Sequence, residues 1–139
     1  MLRTLSLLVT LSLLLALGGC GGPAEYALVG SSRAAGSDGT VTIEEDEYGN
    51  YDVEVEIEFL PPPDRLGDGL TAYVVWIIPA NAPAQRAGLL AYDPDDRTGH
   101  FRTHTSHSDF TLKITAERTP TTSSPSDVVV TSRRVTADD

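Results

Sequence analysis

Residues 51–59 read Tyr-Asp-Val-Glu-Val-Glu-Ile-Glu-Phe, an alternation of apolar and acidic residues that sets the character of the whole chain. Successive side chains of a β-strand point to opposite faces, so this stretch predicts a strand with one buried and one wet face. The strand is expected to end at Pro61, because proline cannot donate to a sheet ladder. The predicted buried face comprises Tyr51, Val53, Val55, Ile57 and Phe59, and the wet face comprises Asp52, Glu54, Glu56 and Glu58.

Residues 71–79, Thr-Ala-Tyr-Val-Val-Trp-Ile-Ile-Pro, are apolar on both faces, which predicts a central strand covered on both sides. Gly49-Asn50 predicts a tight primed hairpin turn before residue 51. No stretch has a helical period, so the fold class is all-β: a single immunoglobulin-like or transthyretin-like antiparallel β-sandwich of about seven to eight strands over residues 25–136. The other predicted strands span 25–32, 40–46, 87–92, 100–105, 110–118 and 127–135.

The first 19 residues are typical of a secretory signal peptide. Arg3 supplies a positive start, the run from Leu5 to Leu17 is mostly apolar, and two small glycines follow it. The run is shorter than the roughly 20 apolar residues that a membrane-spanning helix needs. Cys20 comes directly after the leader and is the only cysteine, so an exported form has no internal disulfide.

Leu17-Gly18-Gly19-Cys20 resembles the lipobox of bacterial lipoproteins. The resemblance implies cleavage before Cys20, a thioether-linked diacylglycerol on its sulfur and an N-acyl chain on its new amino group. Several chains anchor stably because each buried CH₂ adds ~0.8 kcal/mol of membrane affinity. Gly21, where retained lipoproteins often have aspartate, implies the outer membrane in a two-membrane bacterium. Residues 20–24 then form a short tether; the alternative is an ordinary signal peptide with an incidental cysteine.

The motifs Tyr-Val-Val-Trp, Ile-Thr-Ala-Glu and Pro-Ser-Asp-Val-Val-Val lie in the C-terminal part of the chain. Together with neighbouring residues they resemble a family of small exported bacterial β-sandwich lipoproteins of unassigned function. The resemblance implies an envelope role and brings no catalytic set with it. The resembling segments are Tyr73–Trp76, Ala87–Leu90, Phe110–Glu117 and Pro125–Val130.

The chain is acidic, with 10 Lys and Arg against 20 Asp and Glu. Arg3 is the only charged residue of the leader, so the 120 residues after it carry 9 basic and 20 acidic side chains, a net charge of −11. This balance argues against nucleic acid and against charge-driven docking on anionic lipid. The densest charge is residues 44–47 with the acidic face of 51–59, which is expected to guard a sheet edge, hold divalent cations or meet a basic partner.

Two segments are weak candidates for metal binding. His100 and His104 share one strand face, with His107 beyond them, but they are roughly 13 Å apart along a strand and Arg102 lies between them. The loop that begins at Asp93 does not match an EF-hand, which needs glycine at its sixth place and glutamate at its twelfth. A looser calcium site from Asp93, Asp95 and Asp96 is the alternative to a type I turn there.

No catalytic motif occurs in the chain. We therefore expect a non-enzymatic, lipid-anchored envelope protein whose sandwich serves as a binding or structural module. Its partners are the membrane and an unidentified envelope protein, and it needs no cofactor beyond the lipid on Cys20. The alternative is a calcium- or metal-dependent module or hydrolase that uses the 93–96 loop or the His100, His104 and His107 segment.

Overall fold

The computed structural model describes residues 22–137, so the predicted leader and Cys20 lie outside the described residues. Within residues 22–137, no helix has the length and hydropathy needed to cross a bilayer. Two single-turn 3₁₀ helices, Ser32–Ala34 and Pro63–Arg65, interrupt a series of strands. The strands are β1 (Ala24–Val29), β2 (Asp38–Glu45), β3 (Tyr51–Glu58), β4 (Ala72–Pro79), β5 (Gln85–Leu89), β6 (Ala91–Asp93), β7 (Thr98–Thr105), β8 (Asp109–Glu117) and β9 (Val129–Thr136).

The strands form two antiparallel sheets, one ordered β1-β2-β3-β7-β6 and the other β5-β4-β8-β9. With β2 as strand A, these orders correspond to the A-B-E-D and C′-C-F-G sheets of an immunoglobulin-like sandwich, with β1 added beyond strand A. The prediction of an all-β antiparallel sandwich is therefore confirmed. Its connectivity is the immunoglobulin-like one of the two that the sequence predicted.

The core lies between the inner faces of the two sheets. Val53, Val55 and Ile57 of β3 are buried there, as their alternation predicts. Each fully buried side chain of this size contributes about 1.5–3 kcal/mol relative to an exposed one. The other sheet contributes Tyr73, Val75, Ile77, Phe110, Leu112, Ile114, Ala116, Val130 and Val135.

Residues 22–137 form nine strands where seven to eight were predicted, because the strand expected at 87–92 is two strands in different sheets. β5 pairs with β4, whereas β6 pairs with β7. Leu90 lies between them with 5% of its surface exposed, and its N–H donates to the carbonyl of Tyr73 at 3.0 Å. Because Leu90 is buried between the sheets, the chain passes from one sheet to the other at this residue. The alternation of apolar and polar residues does not predict this change of sheet.

Phe59 was predicted to continue the buried face of β3, and this prediction is wrong. Its backbone has a φ of 55°, and 65% of its surface is exposed. Ser37 Oγ donates to the carbonyl of Phe59 at 3.1 Å, and the N–H of Leu60 donates to the carbonyl of Arg97 at 2.9 Å. The reversed backbone turns Phe59 outward, and Leu60 takes the fully buried position instead.

The turn between β2 and β3 also differs from the predicted primed hairpin. The N–H of Gly49 donates to the carbonyl of Asp46 at 3.3 Å, and Gly49 has a φ of 82°. This is the longer hairpin loop, a turn followed by a left-handed glycine. Asp46 Oδ1 accepts the N–H groups of Tyr48 at 2.8 Å and Asn50 at 2.9 Å, so one carboxylate orders the whole loop.

β4 is an inner strand covered on both faces, as predicted. Its Trp76 is fully buried on the outer face of its sheet, away from the core between the sheets. Trp76 Nε1 donates to Thr115 Oγ1 at 2.8 Å, and that hydroxyl donates to Glu117 Oε1 at 2.6 Å. Glu117 Oε1 also accepts the N–H of Ser126 at 2.7 Å. These bonds link the outer face of β4 to the loop that precedes β9.

Candidate functional site

The largest concentration of charge in the described chain is the outer face of the five-stranded sheet, where an acidic column and a basic column lie side by side. The wet face of β3 forms the acidic column. β7 is its register partner, and it places His104 opposite Asp52, Arg102 opposite Glu54, and His100 opposite Glu56. The two patterns that the sequence suggested separately are thus one surface, which we call the charged sheet face.

Three rungs of this face, at Asp52, Glu54 and Glu56, each join an acidic side chain to a histidine or an arginine of β7. Arg102 Nη2 lies 2.7 Å from Glu54 Oε1, and His100 Nε2 lies 3.3 Å from Glu56 Oε1. His104 Nδ1 contacts Asp52 Oδ1. All of these side chains are at least one third exposed to solvent, so the Arg102–Glu54 ion pair adds only about 0–1 kcal/mol of stability, and the two histidine contacts are ion pairs only when the imidazoles are protonated. Arg102 offsets part of the like-charge repulsion along β3, and these solvated contacts do not hold the sheet together.

The acidic residues of β3 do not guard a sheet edge. β3 is the third of five strands, with β2 on one side and β7 on the other. Its backbone is fully used in pairing, so no unpaired edge is present there to protect. The edge-guard interpretation is therefore wrong, and cation or partner binding remains as the functional interpretation of the acidic face.

Two groups of side chains on the described surface have ligand atoms within 4.8 Å of one another. One consists of Asp46, Asp52 and His104, and the other of Glu54, Glu56 and His100. The two histidines therefore belong to different groups, and His107 belongs to neither. In the second group Arg102 already occupies Glu54, which opposes a cation. The first group lies nearer the hairpin, and its member Asp46 belongs to the acidic run 44–47 that the sequence offered as a possible cation-binding segment.

The loop from Asp93 is a tight turn whose first side chain caps it. Asp93 Oδ1 accepts the N–H of Asp95 at 2.9 Å and the N–H of Asp96 at 3.3 Å. None of these three residues belongs to either ligand group found among the described residues. Their geometry is that of an aspartate-capped turn between β6 and β7.

The ends of the sandwich differ. At the end where β1 begins, Ala24 is the partner of Ile43, and Glu45 and Thr105 both align with Tyr51. We call this the Ala24 end; it carries the hairpin loop 46–50. The opposite, far end carries the loops 30–37, 59–71, 94–97 and 118–128.

A groove opens on the charged sheet face toward the far end. It has a volume of about 310 Å³, and its lining includes Gly39, Gly99 and His100 together with the acidic side chains of Asp38 and Glu58. A β-carbon at Gly39 would lie 2.2 Å from the carbonyl oxygen of Glu56, so β2 and β3 approach each other closely at this point. It is a shallow acidic surface depression and not an enclosed cleft.

Two tyrosines hold the proline-rich segment at the far end. The hydroxyl of Tyr73 donates to the carbonyl of Pro61, and that of Tyr92 donates to the carbonyl of Leu60 at 2.8 Å. Their rings meet edge to face with centroids 5.5 Å apart. Burial raises the pKa of both phenols above the ordinary value of 10.0, with the neighbouring Tyr92 adding to the rise at Tyr73. Both groups are therefore neutral donors at physiological pH.

At the Ala24 end, an ion pair between Arg134 and Asp109 shifts the pKa of the Asp109 carboxyl group. Arg134 donates from Nε and Nη2 to the two carboxylate oxygens of Asp109, at 3.0 and 2.7 Å. This hydrogen bonding lowers the pKa of Asp109 below its ordinary value of 3.8. Every buried side-chain nitrogen and oxygen of the described residues has a hydrogen-bond partner. Buried polar side-chain atoms without a partner therefore do not mark a site in this part of the chain.

Comparison with known protein families, curated proteins and solved structures finds no match for this chain. The resemblance to exported β-sandwich lipoproteins accordingly stays a prediction from the motifs.

Proposed function

We propose that this protein is a lipid-anchored component of the bacterial cell envelope, whose immunoglobulin-like sandwich is a non-enzymatic binding or structural module. One observation carries the proposal: the first strand begins at Ala24, four residues after the cysteine of the lipobox-like sequence. A domain that starts so soon after Cys20 matches a chain whose sandwich is attached directly at a membrane surface.

The surface chemistry supports a binding or structural role over catalysis. The charged sheet face consists of solvent-exposed side chains, and its groove is open to solvent. Catalytic acids and bases work best when burial or a specific neighbour shifts their pKa toward neutrality. The shifted pKa values here belong to two tyrosines that hold a backbone segment and to one surface aspartate.

The anchor is tested by Cys20→Ala in the full-length protein, expressed in a bacterial host fed with a radiolabelled fatty acid. We expect the unaltered protein to take up label and to sediment with membranes, and the variant to lose both properties. Gly22→Ala is the matched control, because a β-carbon at Gly22 has no neighbour within 4 Å. If Cys20→Ala is labelled and sediments as the unaltered protein does, the proposed anchor is wrong.

The partner and the membrane are tested in the same cells. We expect the protein to fractionate with the outer membrane where the host has two membranes. Crosslinking in cells followed by mass spectrometry should recover an envelope protein as the partner. Recovery of nucleic-acid-binding or cytoplasmic proteins as the main crosslinked species, with a soluble fractionation profile, contradicts the proposed address.

A second candidate function is binding of a divalent cation, and the group of Asp46, Asp52 and His104 favours it. These residues offer two carboxylates and one imidazole, a ligand set suited to zinc or to harder divalent ions. Asp46 is already oriented by its two backbone hydrogen bonds, so part of the ordering cost is met before binding.

Titration calorimetry with Zn²⁺ and with Ca²⁺ tests the cation candidate. We expect binding that Asp52→Asn and His104→Ala each abolish. Glu58→Gln is the matched control, since Glu58 lies on the same strand face but in neither ligand group. Equal heats in all four proteins, or no heat in any, reject this candidate.

A further inference from the structure

We infer that the tip of the β2–β3 hairpin, with Tyr48 at its apex, lies in the headgroup layer of the membrane that holds Cys20. The far end of the sandwich then points away from the bilayer, toward any partner. This inference deepens the proposed function and rests on it, because it takes Cys20 as the point of attachment.

The register of β1 against β2 carries the inference. Ala24 is the partner of Ile43, and β1 runs antiparallel to β2. Moving back from Ala24 toward Cys20 therefore runs in the same direction as moving forward from Ile43 toward the hairpin tip. Counted along the sequence, Cys20 lies four residues before Ala24, outside the described residues, and Glu47 lies four residues after Ile43, in the hairpin loop.

Chain length sets how far the membrane can be from the tip. The four Cα-to-Cα steps from Ala24 to Cys20 span at most about 14 Å when fully extended. β2 continues two residues beyond Ile43, to Glu45, a rise of about 7 Å at 3.3 Å per residue, and the tip of the loop 46–50 lies beyond that. A fully extended tether therefore brings Cys20 near the level of the hairpin tip. When the strands run away from the membrane above the lipid anchor, the hairpin tip lies at the membrane surface in which the lipid is embedded.

The side chain at the apex suits that place. Tyr48 is 81% exposed, the largest exposure of any bulky apolar or aromatic side chain in the described chain. Tyrosine combines an apolar ring with a polar hydroxyl, and it is enriched where hydrocarbon meets headgroups. Its backbone is fixed by the Asp46 carboxylate, so little flexibility is lost when the ring enters the interface.

The acidic residues around the hairpin tip determine which lipid headgroups it can contact. Glu44, Glu45 and Glu47 surround the tip, and they repel anionic headgroups. The occupant of this surface is therefore a zwitterionic phospholipid layer, which the tether holds against the tip without electrostatic attraction.

The orientation is tested with two tryptophan variants of the processed protein, purified from membranes. Tyr48→Trp places a fluorophore at the hairpin tip, and Phe59→Trp places one on an exposed aromatic position at the far end. The two positions are separated by the eight residues of β3, roughly 23 Å of strand. Asp95→Trp, in another far-end loop, is the second control in case an altered Phe59 does not fold.

Each protein is reconstituted into phosphatidylcholine vesicles with or without lipid brominated near the headgroup end of its chains. We expect bromine to quench the emission added by Tyr48→Trp and to leave that added by Phe59→Trp or Asp95→Trp unchanged. The native Trp76 is fully buried and supplies the same background in every protein. Equal quenching at both ends, stronger quenching at the far end, or none at either end overturns the inferred orientation.

The experiment distinguishes a failure of the proposed lipid anchor from a failure of the inferred orientation. If Cys20 carries no lipid, the protein does not float with vesicles before any quenching is measured. In that case its single thiol can be coupled to a maleimide lipid, since none of the variants adds a cysteine. The same quenching comparison then decides whether the short tether brings the hairpin tip to the bilayer.

Discussion

Replacing Trp76 with alanine tests whether the outer face of β4 is covered and the indole ring enclosed. Trp76 is fully buried, yet it lies outside the core between the sheets and is joined to the loop before β9 through Thr115 and Glu117. Truncation of a buried tryptophan to alanine costs about 3–5 kcal/mol in lost burial and cavity formation. Part of that loss comes from the indole hydrogen bond, which contributes about 1 kcal/mol.

The assay is urea denaturation at neutral pH, followed by circular dichroism. With a urea slope of about 1–3 kcal/mol per molar, a loss of ~4 kcal/mol lowers the midpoint by roughly 1.3–4 M. Trp76→Phe keeps most of the apolar volume and loses the N–H, so it should be destabilised less than Trp76→Ala. Thr115→Val removes the acceptor and leaves Trp76 Nε1 without its partner, at a cost of about 1–3 kcal/mol.

Tyr48→Ala is the control, because truncation of an exposed side chain is expected to change stability by no more than about 0.5 kcal/mol. A loss below about 1 kcal/mol for Trp76→Ala would refute the reasoning, since it would mean that the ring is not enclosed. A loss for Trp76→Phe as large as that for Trp76→Ala would instead show that the hydrogen bond, and not the burial, dominates.

Three further outcomes follow from single contacts. Gly39→Ala should destabilise the protein by about 1–3 kcal/mol in urea, because the new β-carbon would meet the Glu56 carbonyl in β3. Burial raises the pKa of Tyr73 above 10.0, so the unfolded state loses this proton first and stability should fall as pH rises above 10.0. Tyr73→Phe should make that alkaline loss less steep in denaturation at a series of pH values, whereas an unchanged slope contradicts the assignment. Arg134→Gln should raise the pKa of Asp109 toward 3.8 in an NMR titration, and an unmoved titration curve would show that the ion pair does not control it.

Much of the candidate site was visible in the sequence, but its assembly was not. The acidic face of β3 and the shared face of His100 and His104 follow from period-two alternation, which is a local property. Their adjacency depends on β7 crossing back to pair with β3, a contact between segments about 50 residues apart. Asp46 was predicted only as one member of the acidic run 44–47. Its grouping with Asp52 and His104 could not be predicted, because its carboxylate belongs to a turn and the turn type decides where that side chain lies.

The sequence by itself determined the fold class and most strand positions, since alternation and turn residues specify each strand without reference to its neighbours. Tertiary structure decided what depends on neighbours. It made β3 a central strand and not an edge, divided residues 85–93 between two sheets at the buried Leu90, and turned Phe59 outward. These outcomes are set by which apolar side chains fill the core together, a long-range condition that no window of sequence contains.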